Sequence, residues 1–291
     1  MKLVCIPAYN AEKAIGNVVK KCLKYVDQVI VCDDGSIDNT AKVAKDSGAR
    51  VLTHQKNQGY GAALITMFEQ ARKDDVDIMI TLDGDGQHDP QEIPLFLKSL
   101  EENNVDVVIG SRFLNKDSKA PGYRQKGIKI ITATVKLGNK LKITDAQSGF
   151  RAYSKKAINK IHPTETGMSA STEILQKISN NDLTVTEVPI TVLYEGDTSK
   201  HNPLSHGTSV LANTLKYISV KHPMLFYGLP GVAALIAGII IGYNFLENYL
   251  INRAIFLGSL FGSLVLILIG VVLIATSVIL FSMSVLWKDQ K

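Results

Sequence analysis

The feature that most limits the fold of this chain is its C-terminal region, which is almost free of charge. Of the 291 residues, those at 224–246 and at 254–287 carry no formal charge. A helix needs about 20 consecutive apolar residues to cross a bilayer, so each segment is long enough to span one. We therefore expect a transmembrane hairpin over residues 224–291, with a short loop at 247–253 between the spans.

The basic residues that flank these spans are unevenly distributed. Two lysines precede the pair and two follow it, whereas Arg253 is the single basic residue between the spans. Loops rich in Lys and Arg stay on the cytoplasmic side of a membrane. The pattern predicts an integral membrane protein with two spans, whose N-terminal region and both termini are cytoplasmic.

A short segment before the hairpin has apolar residues at helical spacing. Val210, Leu211, Leu215 and Ile218 recur with the period of one helix face. We expect residues 205–223 to form a helix that lies at the membrane surface. An ordinary helix that faces a protein core remains an alternative.

The region before residue 205 has the composition of a folded soluble domain. The whole chain is 46% hydrophobic and 20% charged, with a formal net charge of +5. These values exclude a disordered chain, and the mild positive charge does not indicate a nucleic-acid partner. Cys5, Cys22 and Cys32 have no metal-binding spacing, so we expect buried, reduced thiols.

Short apolar runs alternate with helical patterns along this domain. The runs lie at residues 3–6, 28–32, 51–53, 77–82 and 106–109, and the helical patterns at 11–25, 38–47, 60–73 and 91–102. Further on we expect strands at 147–153 and 184–194 and a helix near 171–178. Alternation of this kind predicts an α/β domain over residues 1–204, with a mainly parallel sheet and helices on both faces. Ligands of such sheets collect at the carboxyl ends of the strands.

Two carboxylates separated by one residue follow the fourth predicted strand. Asp83 and Asp85, with the amide oxygen of Gln87, offer oxygen ligands to Mg²⁺ or Mn²⁺ and leave positions for phosphate oxygens. A calcium loop is excluded, because His88 stands where that loop needs Gly and Pro94 where it needs Glu. A polar turn whose aspartates bond to backbone amides is the remaining alternative.

Polar clusters also follow the first two predicted strands. Asp34, within an Asp-Asp-Gly-Ser sequence, has a carboxylate able to accept hydrogen bonds from a base or a ribose, although this sequence is also a common turn. Tyr9, after Pro7 and Ala8, offers a ring on which a base can stack. No Gly-x-Gly-x-x-Gly follows the first strand and no phosphate-binding Gly-Lys-Ser/Thr occurs, which argues against a dinucleotide oxidoreductase and an NTPase.

In their order and spacing, these clusters resemble the family 2 glycosyltransferases of GT-A fold. Three more stretches carry the likeness: Gly-Ser-Arg at 110–112, Gln-Ser-Gly-Phe-Arg at 147–151 and Gly-Asp-Thr-Ser-Lys at 196–200. The branch most similar is that of the dolichyl-phosphate mannose synthases with two C-terminal spans. The resemblance implies a Rossmann-like domain followed by a transmembrane helix hairpin.

The resemblance also implies roles for individual residues. Those expected to bind the nucleotide sugar are Pro7, Ala8, Tyr9, Asp34, Asp83, Gly84, Asp85, Gln87, Ser199 and Lys200. Those expected to bind Mg²⁺ or Mn²⁺ are Asp83, Asp85 and Gln87. The acceptor phosphate is expected at Arg112, Arg124 and Glu173, and the catalytic residues are expected to be Asp85, Arg112 and Arg124.

The function implied is transfer of a hexose from a nucleotide diphosphate sugar, of GDP-mannose, UDP-glucose or UDP-GlcNAc type, to dolichyl or polyprenyl phosphate. The expected partners are these two substrates and the lipid bilayer, without nucleic acid. Association with a second copy of the chain is left open. Two alternatives remain: transfer to a lipid or protein hydroxyl, and a membrane scaffold that binds nucleotide sugar without catalysis.

Overall fold

The computed structural model of the chain describes residues 1–114, 132, 141, 143–192, 215, 219, 223–253 and 255–289. It divides into two compact units, Met1–Asn213 and Thr214–Lys291. The first unit contains a sheet with helices, and the second contains two long apolar helices. The predicted fold class, an α/β domain followed by a helix pair, is confirmed.

The first unit alternates strands and helices through most of its described length. The strands are β1 (Lys2–Ala8), β2 (Gln28–Asp33), β3 (Arg50–Thr53), β4 (Ile78–Thr81), β5 (Val107–Ser111), β6 (Arg151–Ser154) and β7 (Val185–Pro189). The helices are α1 (Glu12–Cys22), α2 (Thr40–Asp46), α3 (Tyr60–Lys73), α4 (Ile93–Glu102), α5 (Lys155–Lys160) and α6 (Ala170–Asn180). A short 3₁₀ turn, Pro90–Glu92, precedes α4.

The described strands form one sheet in the order β3-β2-β1-β4-β6-β5-β7. Strand β6 is antiparallel to both of its neighbours, β4 and β5, while the other pairs are parallel. The carboxyl ends of β1, β2, β4 and β5 therefore lie at the same edge. The strand predicted at 147–153 begins later than expected, at Arg151, and α5 was not predicted.

The sheet is buried on both faces. Along β1, Leu3 and Cys5 belong to one apolar cluster and Val4 and Ile6 to the other, because successive side chains of a strand point to opposite faces. Helices α3, α5 and α6 contribute to the first cluster, and α1 and α4 to the second. This two-sided burial fixes the sheet edge from which the loops project.

The three cysteines are free and buried, as the sequence predicts. Burial raises the pKa of Cys22 and of Cys32 to about 12, and it raises the pKa of Cys5 further. Thiols of this kind stay protonated at neutral pH and are poor nucleophiles and poor metal ligands.

The second unit is a pair of helices, α7 (Leu229–Asn252) and α8 (Leu257–Asp289), with a π turn at Met224–Gly228 before α7. The loop predicted at 247–253 is wrong, because α7 continues to Asn252 and ends where Arg253 adopts φ 55°. A single Glu247 does not interrupt backbone hydrogen bonding, and the Asn248 side chain donates to the Asn244 carbonyl at 2.8 Å.

Both helices have the length and apolarity of membrane spans. Met224–Asn252 has a mean hydropathy of 2.2 and Leu257–Met283 one of 3.1, and only 11% of each apolar window is buried. The two helices approach closely at Gly270, where a Cβ would lie 2.8 Å from the Leu235 nitrogen. The buried surface is thus confined to the seam between the helices, and most of their apolar side chains face outward.

Candidate functional site

The carboxyl ends of β1 and β2 bring three predicted nucleotide-binding residues together. Pro7 and Ala8 are buried and pair in register with Cys32 and Asp33 of β2. The next residue, Tyr9, has a side chain that is 43% exposed. An exposed ring at the end of a buried strand is available for stacking with a planar ligand.

Asp34, directly after β2, is 3% exposed and its carboxylate is the centre of a hydrogen-bond network. Oδ1 accepts from His54 Nδ1 at 2.7 Å and from the Gln58 amide at 3.0 Å, while Oδ2 accepts from the Gly59 amide at 2.8 Å. Because a carboxylate only accepts, His54 Nδ1 carries a proton. Its Nε2 lies 2.9 Å from the Thr66 hydroxyl oxygen and 3.7 Å from Cys32 Sγ.

His54 is a site residue that the sequence did not identify. It follows β3 at the same edge of the sheet as Asp34. The signal that could have identified it is a polar residue directly after a parallel strand. Asp33, by contrast, accepts from the Ser36 hydroxyl and so closes the turn after β2.

Asp83 and Asp85 lie in the loop that follows β4. The pKa of Asp85 is raised, first because the surrounding protein reduces its solvation and second because the Asp83 carboxylate is nearby. The backbone amide of Gln87 donates a hydrogen bond that opposes this rise. That amide donates to Asp85 Oδ1 at 2.9 Å. Two acids that repel one another at a loop favour a cation between them.

The set of donors fits an open site for a hard cation. Asp83 and Asp85 supply carboxylate oxygens, which Mg²⁺ and Mn²⁺ prefer. Within the described ranges no group of three or more His, Cys, Asp and Glu residues converges. An ion held here would need further oxygens from water or a phosphate-bearing ligand. The polar-turn alternative also has support, because Asp85 accepts from the Gln87 backbone amide. Asp89 likewise accepts from the Gln91 amide at 3.1 Å and caps the 3₁₀ turn.

His88 is buried beside the first aspartate. Its Nε2 lies 3.5 Å from Asp83 Oδ2, and its ring lies against Phe150 with the centroids 5.4 Å apart. The imidazole limits the space into which the Asp83 carboxylate can turn.

Two glycines allow close packing around this loop. A Cβ at Gly84 would lie 3.2 Å from the Pro7 carbonyl oxygen, so the aspartate loop lies directly against the end of β1. Gly149 lies against Asp83 itself, and its carbonyl accepts from the Thr81 hydroxyl at 2.8 Å. The predicted nucleotide side and the predicted metal side of the site are therefore in direct contact.

Arg112, after β5, is held by a buried carboxylate. Its Nε donates to Asp145 Oδ2 at 2.6 Å and its amide donates to the same oxygen at 3.3 Å. Asp145 is fully buried and also accepts from the Gln147 amide at 3.2 Å. Local sequence patterns do not indicate Asp145, because its partner Arg112 is 33 residues away along the chain.

Glu187 of β7 anchors the segment that carries Asp145. Its carboxylate accepts from the Thr144 amide at 2.8 Å and from the Asp145 amide at 3.0 Å. The Arg112 side chain is thus oriented through a chain of contacts that begins on a neighbouring strand.

Arg151, the last residue of the Gln-Ser-Gly-Phe-Arg stretch, is buried and braces the same region. Its guanidinium donates to the carbonyls of Ser148 at 2.9 Å, Ser171 at 3.1 Å and Ala146 at 3.0 Å. These bonds tie the segment around Gly149 to the first turn of α6.

Glu173, on α6, is engaged within the protein. Its carboxylate accepts from Thr164 and Glu165 and pairs with Lys177 at 3.1 Å. Burial would raise the pKa of Glu173, but these hydrogen bonds outweigh it and lower the pKa. The carboxylate stays ionised and orders the segment at 164–166, whose Thr166 carbonyl accepts from the Ala62 amide in the first turn of α3 at 3.1 Å.

Several predicted features lie outside the described residues: Arg124, Ser199, Lys200 and nearly all of the surface helix predicted at 205–223.

The register of the strand pairs shows how the carboxyl ends of β4 and β5 lie relative to each other. Thr81 pairs with Arg151, and Arg151 pairs with Ile109. Two strand spacings amount to about 10 Å, which is the separation we expect between the roots of the Asp83 loop and the Arg112 loop.

Comparisons with known proteins indicate the family to which the chain is related. The model of the family described as "Glycosyl transferase family 2" matches residues 3–162. A UDP-N-acetylglucosamine–dolichyl-phosphate N-acetylglucosaminyltransferase from Methanococcus voltae is 33% identical over 71% of this chain and 89% of its own length. A dolichyl-phosphate hexose transferase from Haloferax volcanii is 30% identical over 73% of this chain and 92% of its own.

Among solved structures, glucosyl-3-phosphoglycerate synthase from Mycobacterium tuberculosis, crystallised with Mn²⁺, UDP-glucose and phosphoglyceric acid, superposes with a TM-score of 0.61. The match covers 75% of this chain and 79% of that one at 23% identity. At 23% identity, this structural similarity shows a shared fold and nothing further.

Proposed function

The chain belongs to glycosyltransferase family 2, and from this premise we propose that it transfers a hexose from a nucleotide diphosphate sugar to a dolichyl or polyprenyl phosphate. The observation that carries the proposal is the placement, at one sheet edge, of the Asp83–Asp85 pair after β4 and of Arg112, held by buried Asp145, after β5. Relatives that act on dolichyl phosphate, at 33% and 30% identity, support the choice of acceptor.

The donor side of the proposed reaction uses the loops after β1, β2 and β4. Tyr9 and Asp34 bind the nucleoside, and Gly84 keeps the Asp83 loop against Pro7. Asp83, Asp85 and Gln87 would hold Mg²⁺ or Mn²⁺, which would supply positive charge to neutralise the departing diphosphate. Ser199 and Lys200 complete the nucleotide side in this proposal.

The acceptor side uses arginine. Guanidinium groups bind phosphate oxygens in bidentate fashion, and we assign Arg112 and Arg124 to this role. A phosphate monoester has a second pKa near 6, so at pH 7 it is already largely an anionic nucleophile. Its oxygen forms a bond to the anomeric carbon as the bond from that carbon to the diphosphate oxygen breaks. This direct displacement inverts the configuration and needs no general base.

The apolar hairpin has a physical purpose in this proposal. Moving a polyprenyl chain into water costs about 0.8 kcal/mol for each CH₂, so the enzyme must act where the lipid lies. We propose that α7 and α8 span the bilayer and that the catalytic unit is cytoplasmic, in accord with the positive-inside pattern. A helix over residues 205–223, as the sequence predicts, would lie at the level of the headgroups.

The test is the transfer of radiolabelled sugar from UDP- and GDP-sugars to short polyprenyl phosphates by purified full-length protein with Mg²⁺ or Mn²⁺. Asp85→Asn is expected to lower the rate roughly 100-fold or more, because charge stabilisation of the leaving group is lost. The matched control in the same loop is Asp89→Asn, which also replaces a carboxylate by an amide but keeps an oxygen that can cap the 3₁₀ turn. Near-full activity of Asp85→Asn would contradict the metal assignment.

The choice of acceptor has its own test. If the acceptor is a phosphate, Arg124→Gln is expected to raise the KM for polyprenyl phosphate. If the acceptor is a hydroxyl, transfer to a polyprenol or to diacylglycerol would exceed transfer to the phosphate, and the proposal would be wrong. Binding of nucleotide sugar without any turnover would indicate the scaffold alternative.

A further inference from the structure

Among the residues that the structure describes, the partners of the Asp34 carboxylate leave one of its acceptor positions open. A carboxylate offers about four acceptor positions, two on each oxygen. Oδ1 already accepts from His54 Nδ1 and from the Gln58 amide, and Oδ2 accepts from the Gly59 amide. Counted over the residues that the structure describes, three of the four positions are therefore occupied, and the remaining one is on Oδ2.

The three occupied positions are held by rigid partners. His54 is fixed at its far side by Thr66, and its side chain is 12% exposed. Gly59 has φ 103°, a backbone conformation that other residues rarely adopt. The loop also lies tightly against Gly35, where a Cβ would be 2.7 Å from the Asn57 nitrogen. Reorienting Asp34 would break contacts on all of these sides.

This single position discriminates between nucleobases. The Watson–Crick edge of uracil has one N–H, at N3, whereas guanine presents N1–H and the N2 amino group side by side. A carboxylate binds that guanine edge with both of its oxygens, and Oδ1 of Asp34 is fully engaged. On the basis of the proposed function, we infer that the donor is a uridine diphosphate sugar and that His54 determines this selectivity by occupying Asp34 Oδ1.

The inference is tested on full-length protein in detergent micelles with Mg²⁺ by calorimetry. UDP, GDP and 3-methyluridine diphosphate share the same diphosphate, so differences in their affinities report on the base. UDP is expected to bind at least about 10-fold more tightly than GDP. Methylation of N3 is expected to weaken binding roughly 10- to 100-fold, because a hydrogen bond to a charged group is lost. Equal affinities for UDP and GDP, or for UDP and its methylated form, would overturn the inference.

A pair of variants isolates the role of His54. His54→Ala frees an acceptor position on Oδ1, so the ratio of UDP to GDP affinity is expected to fall, mainly because GDP binds more tightly. Thr66→Val removes the hydroxyl beside His54 Nε2 but keeps the bond from His54 to Asp34, and it is expected to retain the ratio. An unchanged ratio in folded His54→Ala would overturn the role of His54. The wild-type comparison does not depend on either variant folding.

The transfer assay separates this inference from the proposed function. Transfer from a GDP-sugar with no transfer from UDP-sugars would overturn the uridine inference and leave lipid-phosphate transfer standing. Selective binding of UDP without transfer of any sugar to a lipid phosphate would support the uridine inference and contradict the proposed function.

Discussion

Gly149 lies so close to Asp83 that a Cβ at residue 149 would be 2.8 Å from both carboxylate oxygens. Contacts of that length are not sustained between a carbon and a carboxylate oxygen, so any side chain at 149 would turn the carboxylate away. The backbone of Gly149 is fixed by the Thr81 hydroxyl, which donates to its carbonyl. Glycine at this position therefore preserves the orientation of the first of the two proposed metal ligands.

For this reason we expect Gly149→Ala to impair sugar transfer while the fold is retained. The displaced group is the end of a flexible side chain, so thermal stability changes little, but the apparent affinity for Mg²⁺ or Mn²⁺ falls roughly 10-fold or more. The measurement is the transfer rate as a function of metal concentration. The matched control is Gly167→Ala, where a Cβ meets nothing within 4 Å. A normal metal dependence in Gly149→Ala would show that Asp83 is not oriented by this contact.

Asp145→Asn is expected to weaken the use of the lipid phosphate selectively. The substitution keeps the shape of a buried group but removes the charge that orients Arg112, so the KM for polyprenyl phosphate should rise about 10-fold, equivalent to about 1.4 kcal/mol. The KM for the donor should be nearly unchanged. Glu102→Gln, which removes an exposed ion pair with Lys98, serves as the control. Equal changes in both KM values would indicate a general structural defect.

The stability of the catalytic unit is expected to depend on Glu173 at neutral pH and much less at low pH. The pKa of Glu173 is lower in the folded protein than its ordinary value, near 4.3. Its contribution is therefore fully present above about pH 4.3 and is lost as the pH falls through the lower folded-state pKa. Glu173→Gln should lower Tm by about 2–6 °C at pH 7, with a smaller difference at lower pH.

Thermal unfolding of detergent-solubilised protein at several pH values is the measurement for Glu173. Glu101→Gln, at an exposed position 3.9 Å from Lys2, is expected to leave Tm unchanged throughout. A Tm difference for Glu173→Gln that stays constant as the pH falls would contradict the role of the ionised carboxylate.

Gly61→Ala is expected to destabilise the catalytic unit strongly. A Cβ at residue 61 would overlap the Glu165 carbonyl oxygen, and this backbone atom cannot move aside as a side chain does. Overpacking of this kind costs about 1–3 kcal/mol, which corresponds to a fall in Tm of several degrees. The comparison is with Gly167→Ala by thermal unfolding, and equal Tm values would contradict the close packing of these segments.

Local chemistry was sufficient to predict much of the fold. The helix predicted at residues 60–73 coincides with α3, Tyr60–Lys73, because its apolar period and its charged C-terminal turn are local signals. The alternation of apolar strands and helical patterns similarly indicated a sheet buried on both faces. The loop between the apolar helices was placed too early, since an isolated charge marks the edge of a bilayer segment without ending a helix.

Local sequence patterns did not predict the contacts between segments that are distant in the chain. The insertion of β6 between β4 and β5 depends on pairing between residues about 70 positions apart in the chain, such as Thr81 with Arg151. The same pairing brings Gly149 to Asp83, an approach that no spacing in the sequence encodes.

The sequence by itself determined the two apolar helices, the alternating α/β domain and the identity of the strand-end acids, because hydrophobic length, periodicity and residue chemistry are properties of short segments. Only the tertiary structure decided which partners the site residues contact: Asp34 with His54, Arg112 with Asp145, and Asp83 with Gly149. Hydrogen bonds and close contacts of this kind depend on which loops the strand order brings to one edge of the sheet, and that order follows from burying both faces of the sheet at once.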